Sequence, residues 1–294
     1  MTIFNLGSIN LDLIYAVPHL PQPGETLSAQ NLTEGLGGKG ANQSVAIARA
    51  GGDVVHVGAV GQGGAKLVVE LTESGVRTEL ISQLDTSTGH AVIYVDANAE
   101  NVIVLHDGAN RALTIDMLEA ALNGASGDDW LLAQNETNLV PEAVALAKSK
   151  GMKVAIAAAP FDPVALEPLL DQIDLLAVNE IEARQLANDL PHRAAALKRI
   201  DQLVTLGSAG AELRQSAQTR HVQAFEVEAV DTTGAGDTFL GFYLASFVGG
   251  SSIEEALKMA NAAAALQVTR PGAATAIPTL AEVKTFLAER EQAS

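Results

Sequence analysis

Apolar residues alternate loosely over residues 3–9, which predicts an opening strand. Asn10 and Asp12 follow at once. Polar residues there either make a turn or face the ligand that open parallel sheets bind beyond their strand ends. Pro18, Pro21, Pro23 and Gly24 then exclude a helix, and residues 27–36 read as an extended segment. A glycine-dense turn, Gly35-Leu36-Gly37-Gly38-Lys39-Gly40, opens a helix over residues 41–50 that Gly51 and Gly52 stop. Residues 54–60 have the near-continuous hydrophobicity of a buried strand, and residues 66–73 are helical in character. Two strand-like runs, 90–96 and 101–106, flank Ala97-Asn98-Ala99-Glu100 and predict a hairpin. Segments 10–36 and 87–107 together predict a small β lid standing apart from the main sheet.

From Thr114 onward the pattern becomes regular. Helical periodicity over 115–122 leads to a strand over 130–133, and Pro141 fits the first turn of a helix that runs to residue 150. A strand over 153–157, a short helix over 164–170 and a strand over 175–178 follow. That last strand ends in Asn179-Glu180-Ile181-Glu182, with a helical run to residue 187. Residues 194–199 are helical, and a strand over 202–206 ends in the glycine turn Thr205-Leu206-Gly207-Ser208-Ala209-Gly210. Helices over 253–268 and 280–290 close the chain, joined through Thr269-Arg270-Pro271-Gly272-Ala273. Alternating strands and helices predict an α/β fold of three layers, α/β/α. A mostly parallel central sheet lies in the middle, in a single domain over residues 1–294.

Composition narrows the classes. The chain has 294 residues, 48% of them hydrophobic, enough for a sizeable core. A formal net charge of −17 argues against nucleic acid or an anionic membrane as partner. With no cysteine there is no disulfide framework, thiolate metal site or cysteine nucleophile. No basic, apolar leader opens the chain and no apolar run reaches membrane-span length, so a cytoplasmic location is expected.

The chemistry concentrates at Asp231-Thr232-Thr233-Gly234-Ala235-Gly236-Asp237. This stretch joins a strand-like run over 225–230 to an apolar helical run over 238–248. Small residues between a strand and a helix let the backbone approach a ligand, and the helix start points free amides and its positive end at an anion. A carboxylate at such a place, Asp237, repels phosphate unless it accepts a proton from an attacking hydroxyl. The plain alternative is a capping Asp and turn-forming glycines. The turn before Ala41 lacks the spacing of a Walker A loop, yet bare backbone there admits a polyhydroxy ligand, with Lys39 and Asn42 supplying hydrogen bonds.

Five segments carry a family likeness. They are Gly7-Ser8-Ile9-Asn10-Leu11-Asp12, Leu20-Pro21-Gln22-Pro23-Gly24-Glu25-Thr26, Gly37-Gly38-Lys39-Gly40-Ala41-Asn42-Gln43, Glu100-Asn101-Val102-Ile103 with Gly108-Ala109-Asn110, and the 231–237 stretch. In this order they resemble the motifs of the ribokinase-like, or PfkB-type, carbohydrate kinases over nearly the whole chain. The resemblance implies ATP-dependent phosphorylation of a sugar hydroxyl, with O5 of D-ribose foremost. By this likeness Asn10, Asp12, Gly38, Lys39, Asn42 and Glu136 hold the sugar. Asp237 is the base, and the Gly234, Ala235 and Gly236 amides form an anion hole. Asn179 and Glu182 position Mg2+ and the phosphates, largely through water. Thr205, Gly207, Ser208 and Gly210 form the nucleotide loop, and Asn261 meets adenine. Asp231 and Thr233, with backbone near Gln267, Arg270 and Gly272, resemble a monovalent-cation site, so K+ is expected to raise the rate. Family members pair their lids, which implies a homodimer.

The chain also departs from the family. Gly61-Gln62-Gly63-Gly64-Ala65-Lys66 lacks a usual Asp, which is expected to alter a helix start. Ala97-Asn98-Ala99 replaces a glycine-containing lid turn, and the segment around Leu190-Pro191-His192 is shortened. Ala276 stands where the family tends to carry Ser near the cation, which weakens the expected potassium dependence. Two competing readings remain: a kinase of this fold for another sugar or a nucleoside, and a catalytically silent sugar-binding regulator. Few aromatics (4%) argue against a stacked nucleobase, and the intact Asp237 loop argues against a silent protein.

Overall fold

The computed structural model describes residues 1–98, 100–216 and 218–292. Its strands are β1 (Ile3–Leu6), β2 (Asn10–Ala16), β3 (Asn31–Gly37), β4 (Val54–Gln62), β5 (Ile81–Ser87), β6 (Gly89–Val95), β7 (Asn101–His106), β8 (Trp130–Gln134), β9 (Lys153–Ala157), β10 (Leu175–Asn179), β11 (Asp201–Thr205), β12 (Ala211–Gln215) and β13 (Gln218–Val222). Its α-helices are α1 (Lys39–Arg49), α2 (Ala65–Glu73), α3 (Ile115–Leu122), α4 (Val140–Ser149), α5 (Pro163–Leu166), α6 (Glu180–Asp189), α7 (Ala194–Leu197), α8 (Ala235–Val248), α9 (Ile253–Val268) and α10 (Leu280–Gln292).

Nine strands form the main sheet in the order β13-β12-β11-β10-β9-β8-β1-β4-β5. All neighbours from β5 to β11 run parallel, and β12 and β13 add antiparallel at one edge. Successive residues of each inner strand go to opposite faces. Ile3, Val54, Leu132, Ala155, Leu175 and Leu203 pack with α1, α8 and α9 on one side. Phe4, Val55, Leu131, Val154, Leu176 and Val204 pack with α3, α4 and α6 on the other. Both faces are covered, which is why these strands read as unbroken apolar runs.

Helix α8 is apolar almost all round because it sits between α1 and α9, burying Phe239, Leu240, Phe242, Tyr243 and Leu244. Each such side chain contributes roughly 1.5–3 kcal/mol to folding. Gly241 lets α8 lie directly on α1: a Cβ there would fall 2.4 Å from the Ala46 Cβ. Asp237 lies one turn before Gly241 and Asn42 one turn before Ala46, so this close contact brings Asp237 to Asn42.

A second, four-stranded sheet has the order β3-β2-β6-β7. Asn10 and Asp12, expected at the end of the first strand, are instead the first and third residues of β2, on one face of this small sheet. The extended segment expected over 27–36 is the shorter β3, opposite β2 with Asn10 paired to Gly37. The hairpin turn expected at Ala97-Asn98-Ala99-Glu100 includes Ala99, which lies outside the described residues. The strand expected over 225–230 is absent. The sheet edge is taken by the β12–β13 pair, and Val230 lies 65% exposed, with its amide on Val268 O. The altered start expected near Gly64 is seen as α2 opening at Gly64 without a side-chain cap.

Candidate active site

The N-termini of α1 and α8 meet above the ends of β9, β10 and β11 and enclose a cleft of about 210 Å³. Lys39, Asn179, Glu182, Thr205, Gly234, Gly236 and Asp237 line it, drawn from segments up to two hundred residues apart. Asp237 is half-buried and lines this cleft. Asn42 Nδ2 donates to Asp237 Oδ2 at 3.1 Å, and Gln43 Nε2 donates to Oδ1 at 2.8 Å. Burial raises the Asp237 pKa, and Lys39 and these two donors oppose that rise.

Gly234 adopts φ 76° and starts α8. Of the three amides expected to form an anion hole, that of Ala235 already donates to Thr232 O at 3.3 Å. Among the described residues no backbone acceptor takes the amides of Gly234, Gly236 or Asp237. The open donors therefore flank Ala235, at the positive end of a fourteen-residue helix.

Lys39 is half-buried, and burial alone would lower its pKa. The carboxylates of Asp237, Glu136 and Glu182 outweigh that and raise it, so the ammonium stays charged where three acidic groups converge. Glu136 accepts hydrogen bonds from Ser8 Oγ and, at 3.0 Å, from the Lys39 amide. Asp12 faces Gly37 so closely that a Cβ on Gly37 would lie 2.2 Å from its carboxyl group. Burial, with the nearby Glu136, pushes the Asp12 pKa up to about 6. Asn10 Oδ1 accepts from Asn110 Nδ2 at 2.7 Å, and Gly38 begins α1 at φ 93°. Asn42 Oδ1 is buried with no hydrogen-bond partner among the described residues, so a hydroxyl donor there would satisfy it.

Asn179 and Glu182 form a reciprocal cap on α6: Asn179 Oδ1 accepts from the Glu182 amide at 2.9 Å, and Glu182 Oε2 from the Asn179 amide at 2.8 Å. Glu182 Oε1 and Asn179 Nδ2 remain for a ligand in the cleft. Among the described residues no group of three His, Cys, Asp or Glu side chains is placed to hold a metal. One carboxylate oxygen suits magnesium, which keeps several waters and relies on phosphate oxygens. Beyond Thr205, Gly207 and Ser208 form an exposed turn. Gly210 packs too closely on Val222 O, 2.0 Å from a built Cβ, to bear a side chain. Asn261, expected to meet adenine, is buried in α9 and donates to Gln223 O at 2.9 Å.

The loop expected to hold a monovalent cation is already filled. Gln267 Nε2 donates to Thr233 O, Gly272 O and Ala273 O at 3.0, 3.2 and 3.0 Å. The Gln267 carbonyl, expected as a ligand, accepts from the Arg270 amide at 3.1 Å. Asp231 accepts from the Thr233 and Gly272 amides, both at 2.9 Å. Ala276 has no side-chain oxygen to offer. These residues do not fit a bound potassium ion.

Several site residues escape notice in the sequence. Gln43 holds Asp237, Gln134 Nε2 donates to Gln43 Oε1 at 2.7 Å and to Asn5 Oδ1 at 2.8 Å, and Asn5 Nδ2 donates to Ser44 Oγ at 2.8 Å. Ser44 Oγ meets His56 Nδ1 at 2.9 Å, and burial lowers the His56 pKa to about 4, so the ring is neutral. Gln134 has its amide nitrogen between two acceptors, so Gln43 must present oxygen to Gln134 and N–H to Asp237. The available signal was a lone amide inside each of two apolar strands, Asn5 in β1 and Gln134 in β8.

Residues 2–280 match the pfkB family of carbohydrate kinases. The chain belongs to this family. A ribokinase of Haemophilus influenzae is 36% identical to this pfkB-family chain, over 97% of its length and 98% of the relative's. A deoxyribokinase of Salmonella typhi is 33% identical, over 99% and 100%. The solved structure of Arabidopsis thaliana ribokinase complexed with ribose and ATP is 30% identical, covers 97% of this chain and 98% of that one, and has a TM-score of 0.84. The pfkB-family chain thus has the ribokinase-like fold, a large mostly parallel sheet with a smaller separate one, and is a carbohydrate kinase.

Proposed function

We propose that this kinase transfers the γ-phosphoryl group of ATP to the primary hydroxyl of a pentose, D-ribose before others. One observation carries the reading: Asp237, held by two amide donors, stands at the start of α8 between open backbone N–H groups and the Lys39 ammonium. The sugar hydroxyl gives its proton to Asp237 as its oxygen bonds to the γ-phosphorus, and the bond from phosphorus to the β,γ-bridging oxygen breaks to release ADP. The amides of Gly234, Gly236 and Asp237 and the Lys39 ammonium face the charge that moves. Asn10, Asp12, Gly38, Lys39, Asn42 and Glu136 hold the sugar; Asn42 Oδ1 gains the donor it lacks. Asn179 and Glu182 would hold magnesium, which when bound would neutralise phosphate charge. Thr205, Gly207 and Ser208 border the nucleotide. The small sheet acts as a lid that keeps water from competing with the sugar.

The test is a coupled ADP-release assay with magnesium over D-ribose, 2-deoxy-D-ribose, other pentoses, a ketohexose and nucleosides. D-ribose is expected to give the highest kcat/KM; a better 2-deoxy-D-ribose or nucleoside value would replace the substrate, and no turnover with any would reject the kinase reading.

Titration of Asp12 gives a second expectation. Its raised pKa, about 6, means that the acceptor form is lost as pH falls through that value. The kcat/KM for the sugar should therefore fall below pH about 6, and the Asp12→Asn variant should lack that inflexion and show a higher sugar KM. An unchanged acid limb in the variant would assign it elsewhere.

We further propose a homodimer paired through the small sheet. Its edge strand β7 leaves Val102, Ile103, Val104 and Leu105 between 45% and 58% exposed, an apolar edge that needs cover. Sedimentation equilibrium should show a dimer, and Ile103→Asp a monomer; a monomeric wild type would reject the pairing.

A further inference from the structure

Three backbone carbonyls from two separate turns point at one place. Thr233 O comes from the loop before α8, and Gly272 O and Ala273 O from the turn after α9. Converging carbonyl oxygens repel one another unless something positive sits between them. Here it is Gln267 Nε2, at 3.0 to 3.2 Å from all three. The side chain is wholly buried, and its Oε1 is fixed by Thr238 Oγ1 at 3.3 Å. That contact leaves Oε1 pointing at α8 and the amide hydrogens at the carbonyls, so the orientation is determined. Two N–H groups serve three acceptors, and one proton is shared. Asp231 closes the other side of the same knot, bridging the Thr233 and Gly272 amides.

We infer that the Gln267 side-chain amide takes the place of a monovalent cation, clamping the loop before α8 to the turn after α9, so that this kinase works without potassium. This reverses the potassium dependence expected from the family likeness. A cation would need the space and the oxygens that the amide group holds, and the amide hydrogens would repel it. The clamp acts one residue from Gly234, whose backbone leads into the open amides of Gly236 and Asp237. Gln267 is thus a positioning residue: it touches neither sugar nor nucleotide, and it sets where those amides point. The catalytic part of the inference rests on the phosphoryl-transfer reading; the cation part does not.

The experiment compares wild type, Gln267→Ala and Gln267→Met, with potassium chloride replacing tetramethylammonium chloride at constant ionic strength, which holds screening fixed. Both kcat and the melting temperature are measured. Wild type should be indifferent to potassium in both. Gln267→Ala opens the focus of the three carbonyls; its kcat should fall about 10- to 100-fold without potassium, the scale of a misplaced catalytic group. Potassium should then restore much of that loss and raise the melting temperature by binding the folded form. Gln267→Met fills the space without a donor; it should lose a similar factor and respond to potassium in neither measurement.

A wild type that potassium activates or stabilises overturns the inference, as does an alanine variant with wild-type kcat, or one whose losses potassium does not mend. Should the alanine variant not fold in either salt, the wild-type response and the methionine variant decide alone. A flat wild type with an impaired, unresponsive methionine variant upholds the inference, and any other pairing overturns it. Melting requires no substrate, so a protein that phosphorylates no sugar yet shows these salt responses would reject the kinase reading and leave the clamp standing.

Discussion

Asp237→Ala should lower kcat by about a thousandfold or more, within the range that general base catalysis supplies together with positioning. The loss should fall on kcat, because Asn10, Asp12, Lys39 and Glu136 still hold the sugar. Calorimetry should therefore show sugar and nucleotide binding within a few-fold of wild type. The fold should survive for an electrostatic reason. The carboxylate is costly to bury, as its raised pKa shows, and its removal relieves that cost. Against this, Asn42 Nδ2 and Gln43 Nε2 each lose an acceptor, worth roughly 1–3 kcal/mol for a buried donor left unpaired. The two effects oppose each other, so the melting temperature should move by only a few degrees. A variant with wild-type turnover would remove Asp237 from the chemistry. A variant that has also lost sugar binding would make the residue a ligand holder instead.

Gly40→Ala should be highly damaging for a change of a single methyl group. A Cβ there would lie 2.4 Å from Gly7 Cα and 2.4 Å from Ser8 N, both backbone atoms that cannot rotate away. Gly7 is equally constrained, since its own Cβ would fall 2.5 Å from Gly40 Cα. The start of α1 is thus pressed backbone to backbone on the segment between β1 and β2. An added methyl must push α1 outward, which breaks the Asn5 bond to Gly40 O and displaces Lys39, Asn42 and Gln43 together. Destabilisation of about 2–4 kcal/mol is expected from overpacking plus a broken buried hydrogen bond. Any folded fraction should have kcat/KM lowered about a hundredfold, since three ligand-facing residues move at once. Gly124→Ala is the control: nothing lies within 4 Å of its built Cβ, and both stability and activity should be unchanged. Equal behaviour of the two variants in thermal melts would show that the close approach at Gly40 is not a structural requirement.

Much of the candidate site is legible in the sequence. Lys39, Asn42, Asn179, Glu182 and Asp237 stand at strand ends and helix starts, and those are marked locally, by glycines and by a switch in hydrophobic period. The central strands were legible because both their faces are covered, which leaves an unbroken apolar run. The strands at and beside the sheet's edges were not. β5 and β12 are polar on one face, Ile81–Ser87 and Ala211–Gln215, and their short alternation is hard to tell from a loop. The run before Asp231 alternates like a strand, yet among the described residues it pairs with no other strand.

What the sequence by itself determined is the order of elements, the covered parallel sheet, the family and the acidic residue at the start of α8, because each is written in neighbouring residues or in motifs of fixed spacing. Only the tertiary structure decided that Gln43, Gln134 and Asn5 act as one chain of amides behind Asp237, that Asn261 is tied to Gln223 O, and that Gln267 fills the carbonyl focus where a cation was expected. An amide has a donor end and an acceptor end, and which end meets which neighbour depends on residues brought together from 29 to 194 positions away. No local pattern records that choice; it is made when α1, α8 and α9 close on the sheet.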